Sequence, residues 1–333
     1  MDITDVKLWL EMPRELVIVS HRNPDGDAIG SSLGLSSFLK KKFHKVTVIY
    51  PSEYPRIFEY LDGIYEVLIY DLKPVEVKKA IENAEGIFCL DFNGLDRVDK
   101  MGEFIQFSNA KKFLIDHHLD PEPFTDYEFI DTNASSTSEL VYLWIKALNQ
   151  QDKMDVKIGE ALFTGIITDT GSFKYNTRPE TFVVASELKQ LGVNDYHLQD
   201  LIFNCLLSKH LRLLGHCLAN RMEILEESGI GIIYLSRKDY IDFDIQRGDT
   251  EGIVNHMLYV KNIQIAAFVT EQPTIIKLSL RSKGDISVQE VATKYFNGGG
   301  HKNAAGGGVY ASLQDVLNKL KKVLPLYIHK STH

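Results

Sequence analysis

Apolar and polar positions follow two rhythms along the first 120 or so residues. Leu16-Val17-Ile18-Val19 is a compact apolar run that breaks at Ser20-His21-Arg22-Asn23-Pro24-Asp25-Gly26-Asp27. Similar runs recur at 46–50, 67–69, 87–90 and 113–115. Short apolar runs bounded by polar and turn residues read as buried strands. After the first of them, residues 28–40 place Ile29, Leu33, Leu35 and Phe38 roughly at helical spacing. Helices are expected between several of the other runs. The alternation predicts a parallel sheet covered by helices.

Residues 157–169 read as a further helix, with Ala161, Leu162, Gly165 and Ile166 on its packing face and Asp169-Thr170-Gly171 at its end. After Arg178-Pro179-Glu180 another helix runs to Leu191 and stops at Gly192. The stretch 194–227 looks helical. Beyond Gly229, residues 232–235, 263–269 and 275–281 resemble strands, and 288–296 a short helix. The run Asn297-Gly298-Gly299-Gly300-His301 follows and reads as a glycine loop, then a closing helix over 312–326. The chain therefore reads as α/β: a parallel-sheet domain at 1–192, a helical connector at 193–228 and a smaller α/β domain at 229–333, across a cleft from the first.

His21, Asp25 and Asp27 follow the first strand run, Asp91 the fourth, and Asp116-His117-His118 the fifth. In an open parallel sheet the carboxyl ends of strands form one rim, where ligands bind. With Asp169 added, four carboxylates gathered without counter-charge would repel one another and raise their own pKa values. Two divalent ions would cancel that charge and accept neutral imidazoles, and a shared carboxylate bridges ions about 3.5–4 Å apart. Mixed oxygen and nitrogen donors favour manganese over magnesium. Asp25-Gly26-Asp27 alone reads equally well as a turn.

Composition narrows the partners. A formal net charge of -8 argues against coating long duplex nucleic acid. It leaves room for a short anionic substrate. No apolar run is long enough to cross a bilayer, and the acidic N-terminus lacks a secretory pattern. Cys89, Cys205 and Cys217 form no metal-ligand spacing and cannot all pair, which suits a reducing cytoplasm.

The motifs His21-Arg22-Asn23-Pro24-Asp25-Gly26-Asp27-Ala28-Ile29-Gly30-Ser31, Asp91, Asp116-His117-His118 and Thr164-Gly165-Ile166-Ile167-Thr168-Asp169-Thr170-Gly171, in that order and spacing, resemble the DHH family of phosphoesterases. Gly298-Gly299-Gly300-His301-Lys302-Asn303-Ala304-Ala305-Gly306 resembles the accessory DHHA1 domain. Together they are similar to the branch containing oligoribonucleases and phosphoadenosine phosphatases. The resemblance implies two divalent ions, most simply Mn2+. His21, Asp25 and Asp91 would hold one; Asp27, Asp91, His117 and Asp169 would hold the other. Asp116 would support the adjacent imidazoles, and His118 would face substrate and assist protonation.

Arg281, His301 and the backbone of Gly298, Gly299 and Gly300 become candidates for holding substrate phosphate, with Asn255 and Arg178 behind them. Arg281 reads equally as a strand end or an ion-pair partner, and Arg178-Pro179-Glu180 as a helix start. The implied substrates are short single-stranded RNA oligonucleotides and 3'-phosphoadenosine 5'-phosphate. Linear or cyclic dinucleotides are the alternative, and a noncatalytic nucleotide-binding module is the alternative of another class. Homodimerisation stays open, and no membrane partner is expected.

Overall fold

The apolar runs of the first domain are strands of one sheet. The computed structural model describes residues 2–204, 206–246 and 248–328, with the side chain of His301 outside that set. The chain divides into two units, Met1–Cys205 and Leu206–His333. In order, the first contains α1 (Ile3–Trp9), β1 (Glu15–Val19), α2 (Gly26–Lys41), β2 (Lys45–Tyr50), β3 (Leu68–Ile69), α3 (Pro74–Asn83) and β4 (Gly86–Leu90). Then come α4 (Met101–Phe107), β5 (Lys111–Asp116), β6 (Tyr127–Ile130), α5 (Thr137–Ala147), α6 (Val156–Asp169), α7 (Pro179–Gln190) and α8 (Asp195–Phe203).

The strands pair in parallel in the order β3-β2-β1-β4-β5-β6. Both faces are covered, which is why the runs are continuously apolar rather than alternating. Leu16 and Ile18 join the core containing residues of α2, α5 and α6, whereas Val17 and Val19 join one with α3 and α4. Strand order reverses at β1, since β2 lies on one side and β4 on the other. Such a switch point opens a crevice at the carboxyl ends of the strands.

A second feature brings distant residues to that crevice. Gly26, Gly30 and Gly34 recur every fourth residue along α2 and face α6. A Cβ on Gly30 would collide with the Ala161 carbonyl, and one on Gly34 would come 2.6 Å from Leu162 Cδ2. On α6, a Cβ at Gly165 would lie 2.7 Å from the Asp27 carboxylate. The helices thus pack almost backbone to backbone and antiparallel, setting the start of α2 beside the end of α6.

The second unit contains α9 (Ser208–Asn220), β7 (Met222–Leu225), β8 (Ile230–Leu235), α10 (Arg237–Asp242), α11 (Asn255–Leu258), β9 (Ile265–Glu271) and β10 (Ile276–Ser282). It continues with α12 (Val288–Tyr295), β11 (Gly299–His301), β12 (Ala304–Val309), α13 (Leu313–Val323) and α14 (Pro325–Ile328). Its sheet runs β11-β12-β10-β9-β8-β7, antiparallel except between β8 and β9.

Three local expectations change. The stretch 194–227 is two helices and a strand: α8 packs on α6, whereas α9 packs on β7 and β8. β7 is only four residues long, too few for its period to stand out from a helix. The closing helix is interrupted before Pro325, whose missing N–H cannot continue it. The glycine run is an edge strand rather than an open loop. Among the described residues no helix is long and apolar enough to cross a membrane.

Candidate metal centre

Every predicted ligand stands at the carboxyl rim of the first sheet or at a helix end facing it. His21 follows β1 after Ser20, whose hydroxyl donates to the Leu90 carbonyl at 2.7 Å and ties the ends of β1 and β4 together. Asp25 caps α2 by accepting from the amides of Asp27 (3.0 Å) and Ala28 (3.1 Å), and Asp27 lies in the first turn. Asp91 follows β4 at φ 65°, a left-handed conformation that aspartate tolerates better than most side chains. Asp116 ends β5, and Asp169 ends α6.

Backbone carbonyls choose which imidazole nitrogen faces the cluster. His21 Nδ1 donates to its neighbour Arg22's carbonyl at 2.9 Å, and His117 Nδ1 to the Ala134 carbonyl at 3.2 Å. A carbonyl only accepts, so in each neutral ring Nε2 carries the lone pair. His21 Nε2 lies 3.5 Å from Asp91 Oδ2 and 3.9 Å from Asp25 Oδ1. His117 Nε2 lies 3.7 Å from Asp91 Oδ1 and 3.6 Å from Asp169 Oδ2. Two ligands ~2.1 Å from one ion and about 90–120° apart are separated by about 3.0–3.6 Å. These spacings suit donors that share a cation better than donors that bond to each other.

Three groups of donors could each hold an ion: His21, Asp25 and Asp91; Asp27, His117 and Asp169; and Asp91, His117 and His118. In each, the donor atoms lie within 4.8 Å of one another. Asp91 and His117 each belong to two of the groups.

The electrostatics have the same cause. Burial, joined by the charges of Asp91 and Asp169, pushes the Asp27 carboxyl well above its usual range. Burial also pushes Asp169 up to about 7, with Asp91 and Asp25 adding to it and His117 opposing. Burial disfavours a charged His21 or His117, yet the surrounding carboxylates, Asp91 foremost, override it and raise both to about 9. Those same imidazoles hold Asp91 well below the carboxylate range despite its burial. Without a cation the cluster recruits protons. Divalent ions would replace them with fixed charge.

Among the described residues Asp116 meets one of the two adjacent imidazoles. Its Oδ1 lies 2.7 Å from His118 Nδ1, while His117 is oriented by Ala134 instead. Asp116 Oδ2 is buried without a hydrogen-bond partner among the described residues.

Arg178 stands before Pro179 at the start of α7, with Nη1 2.5 Å from Asp131 and Nη2 2.6 Å from the fully buried Glu139. Its fork is therefore engaged by two carboxylates of the first unit.

The second unit carries the remaining candidates. Arg281 lies on β10 opposite Ala266 and Ala304, half-buried. Its Nη1 donates to its neighbour Leu280's carbonyl at 3.0 Å, and no carboxylate pairs with it among the described residues. Burial lowers its pKa, with Glu251 opposing. Asn255 opens α11. The Gly298 amide donates to the Ala292 carbonyl at 3.1 Å, so it is not free for an anion. Gly299 and Gly300 pair with Gly306 and Ala305, and Gly300 has φ 136°, a backbone that requires glycine. The side chain of His301 lies outside the described residues, as does Cys205.

One group that touches the cluster was not among the candidates: the turn Ser135–Glu139 that starts α5. The amides of Thr137 and Ser138 donate to the two Asp27 oxygens at 2.6 and 2.9 Å, and the Thr137 hydroxyl donates to Asp91 at 2.9 Å. Its signal was present as Ser136-x-x-Glu139 before the apolar run from Leu140, a helix-start signature.

The sequence of the first unit matches the N-terminal domain of the DHH family over residues 15–166, and the second matches the DHHA1 domain over residues 229–329. The bifunctional oligoribonuclease and PAP phosphatase NrnA of Thermus thermophilus is 30% identical, over 87% of this chain and 83% of its own. The Bacillus subtilis protein of that name is 28% identical, over 89% of this chain and 90% of its own. An exopolyphosphatase-related protein from Bacteroides fragilis has a crystal structure that superposes with a TM-score of 0.96 at 36% identity, covering 99% of this chain and 97% of that one.

Proposed function

The chain belongs to the DHH family, with a DHHA1 domain following its DHH domain, and we propose from that premise that it is a manganese-dependent phosphoesterase of short RNA. On this reading it releases mononucleotides from short single-stranded oligonucleotides and removes the 3'-phosphate of 3'-phosphoadenosine 5'-phosphate. The convergence of His21 and His117, each with Nε2 facing a different oxygen of Asp91, carries the proposal. The names of the two bacterial relatives supply the substrate class.

His21, Asp25 and Asp91 would hold one ion, and Asp27, Asp91, His117 and Asp169 the other. When bound, the ions supply charge neutralisation at phosphoryl oxygens and lower the pKa of attacking water. His118, held at Nδ1 by Asp116, delivers a proton to the departing sugar oxygen. Arg281, a half-buried guanidinium with no carboxylate partner among the described residues, binds a substrate phosphate.

Purified protein supplied with manganese or magnesium tests this against di- to pentanucleotides, the bisphosphorylated adenosine, cyclic dinucleotides and pyrophosphate. Mononucleotides and AMP are expected, with manganese the better ion. Cleavage of cyclic dinucleotides with oligonucleotides left intact would reverse the substrate assignment. Binding of nucleotides without any turnover would reverse the assignment as an enzyme.

A further inference from the structure

The free amides at the start of α5 have an unusual destination. A helix begins with N–H groups that lack partners within it. In α5, the Glu139 amide donates to the Ser136 hydroxyl at 3.0 Å, in the usual capping manner. The two before it, Thr137 and Ser138, donate to the two oxygens of Asp27, a residue more than a hundred positions earlier. The Thr137 hydroxyl completes the set on Asp91 Oδ1. Thr137, Asp27 and Asp91 are all buried.

A carboxylate rotates easily about its last bond. Among like charges it turns away from its neighbours or takes a proton. Donors fixed in a helix turn oppose both outcomes. They hold the plane of the carboxylate, favour its ionised form, and leave each oxygen a further lone pair for a cation. The positive end of the helix dipole acts in the same direction. Among the described residues Thr137 is the one that hydrogen-bonds both carboxylates, Asp27 by its amide and Asp91 by its hydroxyl.

We infer that Thr137 is a positioning residue of the metal centre, fixing Asp91 and Asp27 in the orientation that lets them serve ions without itself touching ion or substrate. The inference rests on the two-metal reading above. A hydroxyl present only to fill its buried site would affect folding stability and leave ion affinity alone.

The test compares Thr137→Val, which keeps the shape and removes the donor, with Thr137→Ser, which keeps the donor. Calorimetric titration of each metal-free protein with manganese gives the affinity, and thermal unfolding of the same samples monitors the fold. Thr137→Val should weaken manganese binding about 10- to 100-fold, whereas Thr137→Ser stays within about threefold of wild type. Thr137→Ala carries the same expectation as Thr137→Val and replaces it if the valine variant does not fold. Turnover lost in the valine variant should return as manganese is raised. Equal affinities for valine variant and wild type would overturn the inference, and so would a serine variant as weak as the valine one. Wild-type protein that takes up no manganese would instead remove the two-metal reading beneath it.

Discussion

Gly30 of α2 meets the carbonyl of Ala161 in α6 with no room for a side chain between them. The antiparallel contact around this pair sets Asp27, near the start of one helix, beside Asp169, at the end of the other. A methyl group there must push the helices apart, because the obstacles are backbone atoms of Ala161 and Gly165. Gly30→Ala should therefore destabilise the metal-free protein by about 1–3 kcal/mol and weaken manganese binding with it. Urea unfolding and metal titration of the same preparation check both effects. A variant that loses stability but keeps full affinity would separate the packing from the metal centre.

Asp91 and His118 should fail in different ways. Asp91 faces His21 on one side and His117 on the other, so Asp91→Asn removes a charged ligand from both positions. Turnover should fall by more than about a hundredfold, with ion affinity lost, since even supporting residues of metal ligands contribute 10- to 100-fold. His118→Asn should lower kcat by about 10²–10⁴-fold and leave manganese affinity nearly intact. Parallel kinetics and metal titration would sort the two, and a His118 variant with normal kcat would cancel its role as a proton donor.

Arg178 distinguishes a strut from a substrate contact. Removing it leaves Glu139 charged and buried among Ser135 and Thr181, which already donate to the carboxylate. Arg178→Ala should cost about 3–5 kcal/mol of stability, the usual penalty for breaking a buried pair from one side. Normal stability with a raised KM would instead return Arg178 to the substrate-binding group.

His44 should make the first unit acid-sensitive. The Arg14 amide donates to its Nδ1 at 3.2 Å, which makes that nitrogen an acceptor, and Nε2 is buried without a partner among the described residues. Burial, with the nearby charges of Lys42 and Arg14, holds its pKa at about 4. The unfolded chain titrates near about 6.5 and so binds more protons than the folded one between these values. This group's contribution is complete above the unfolded value and is lost as pH falls toward 4. His44→Asn, which keeps an acceptor for Arg14, should flatten the dependence of the urea midpoint on pH between 7 and 5. An unchanged slope would assign the acid sensitivity elsewhere.

The strands, the rim and the order of the metal motifs were legible because a parallel sheet buried on both faces writes its strands as unbroken apolar runs. Residues after such runs must then lie along one edge. The start of α5 escaped notice because its chemistry is mostly backbone: the amides of Thr137 and Ser138 act whatever their side chains are. The partners of Arg178 were hidden for the opposite reason. A conspicuous charge beside a proline says nothing about the two carboxylates, Asp131 and Glu139, that engage it from 47 and 39 residues away. The glycine run looked like a loop because three glycines give no apolar period, although pairing with β12 makes it a strand.

All six candidate ligands fall between His21 and Asp169, inside the first unit, whereas Arg281 and the glycine strand fall inside the second. On the proposed reading, bond breaking and choice of substrate are thereby written in separate stretches of chain. Mutation can retune which ester is accepted without disturbing the carboxylates that make hydrolysis feasible. A division of that kind lets one reaction centre be inherited intact while its clientele diversifies.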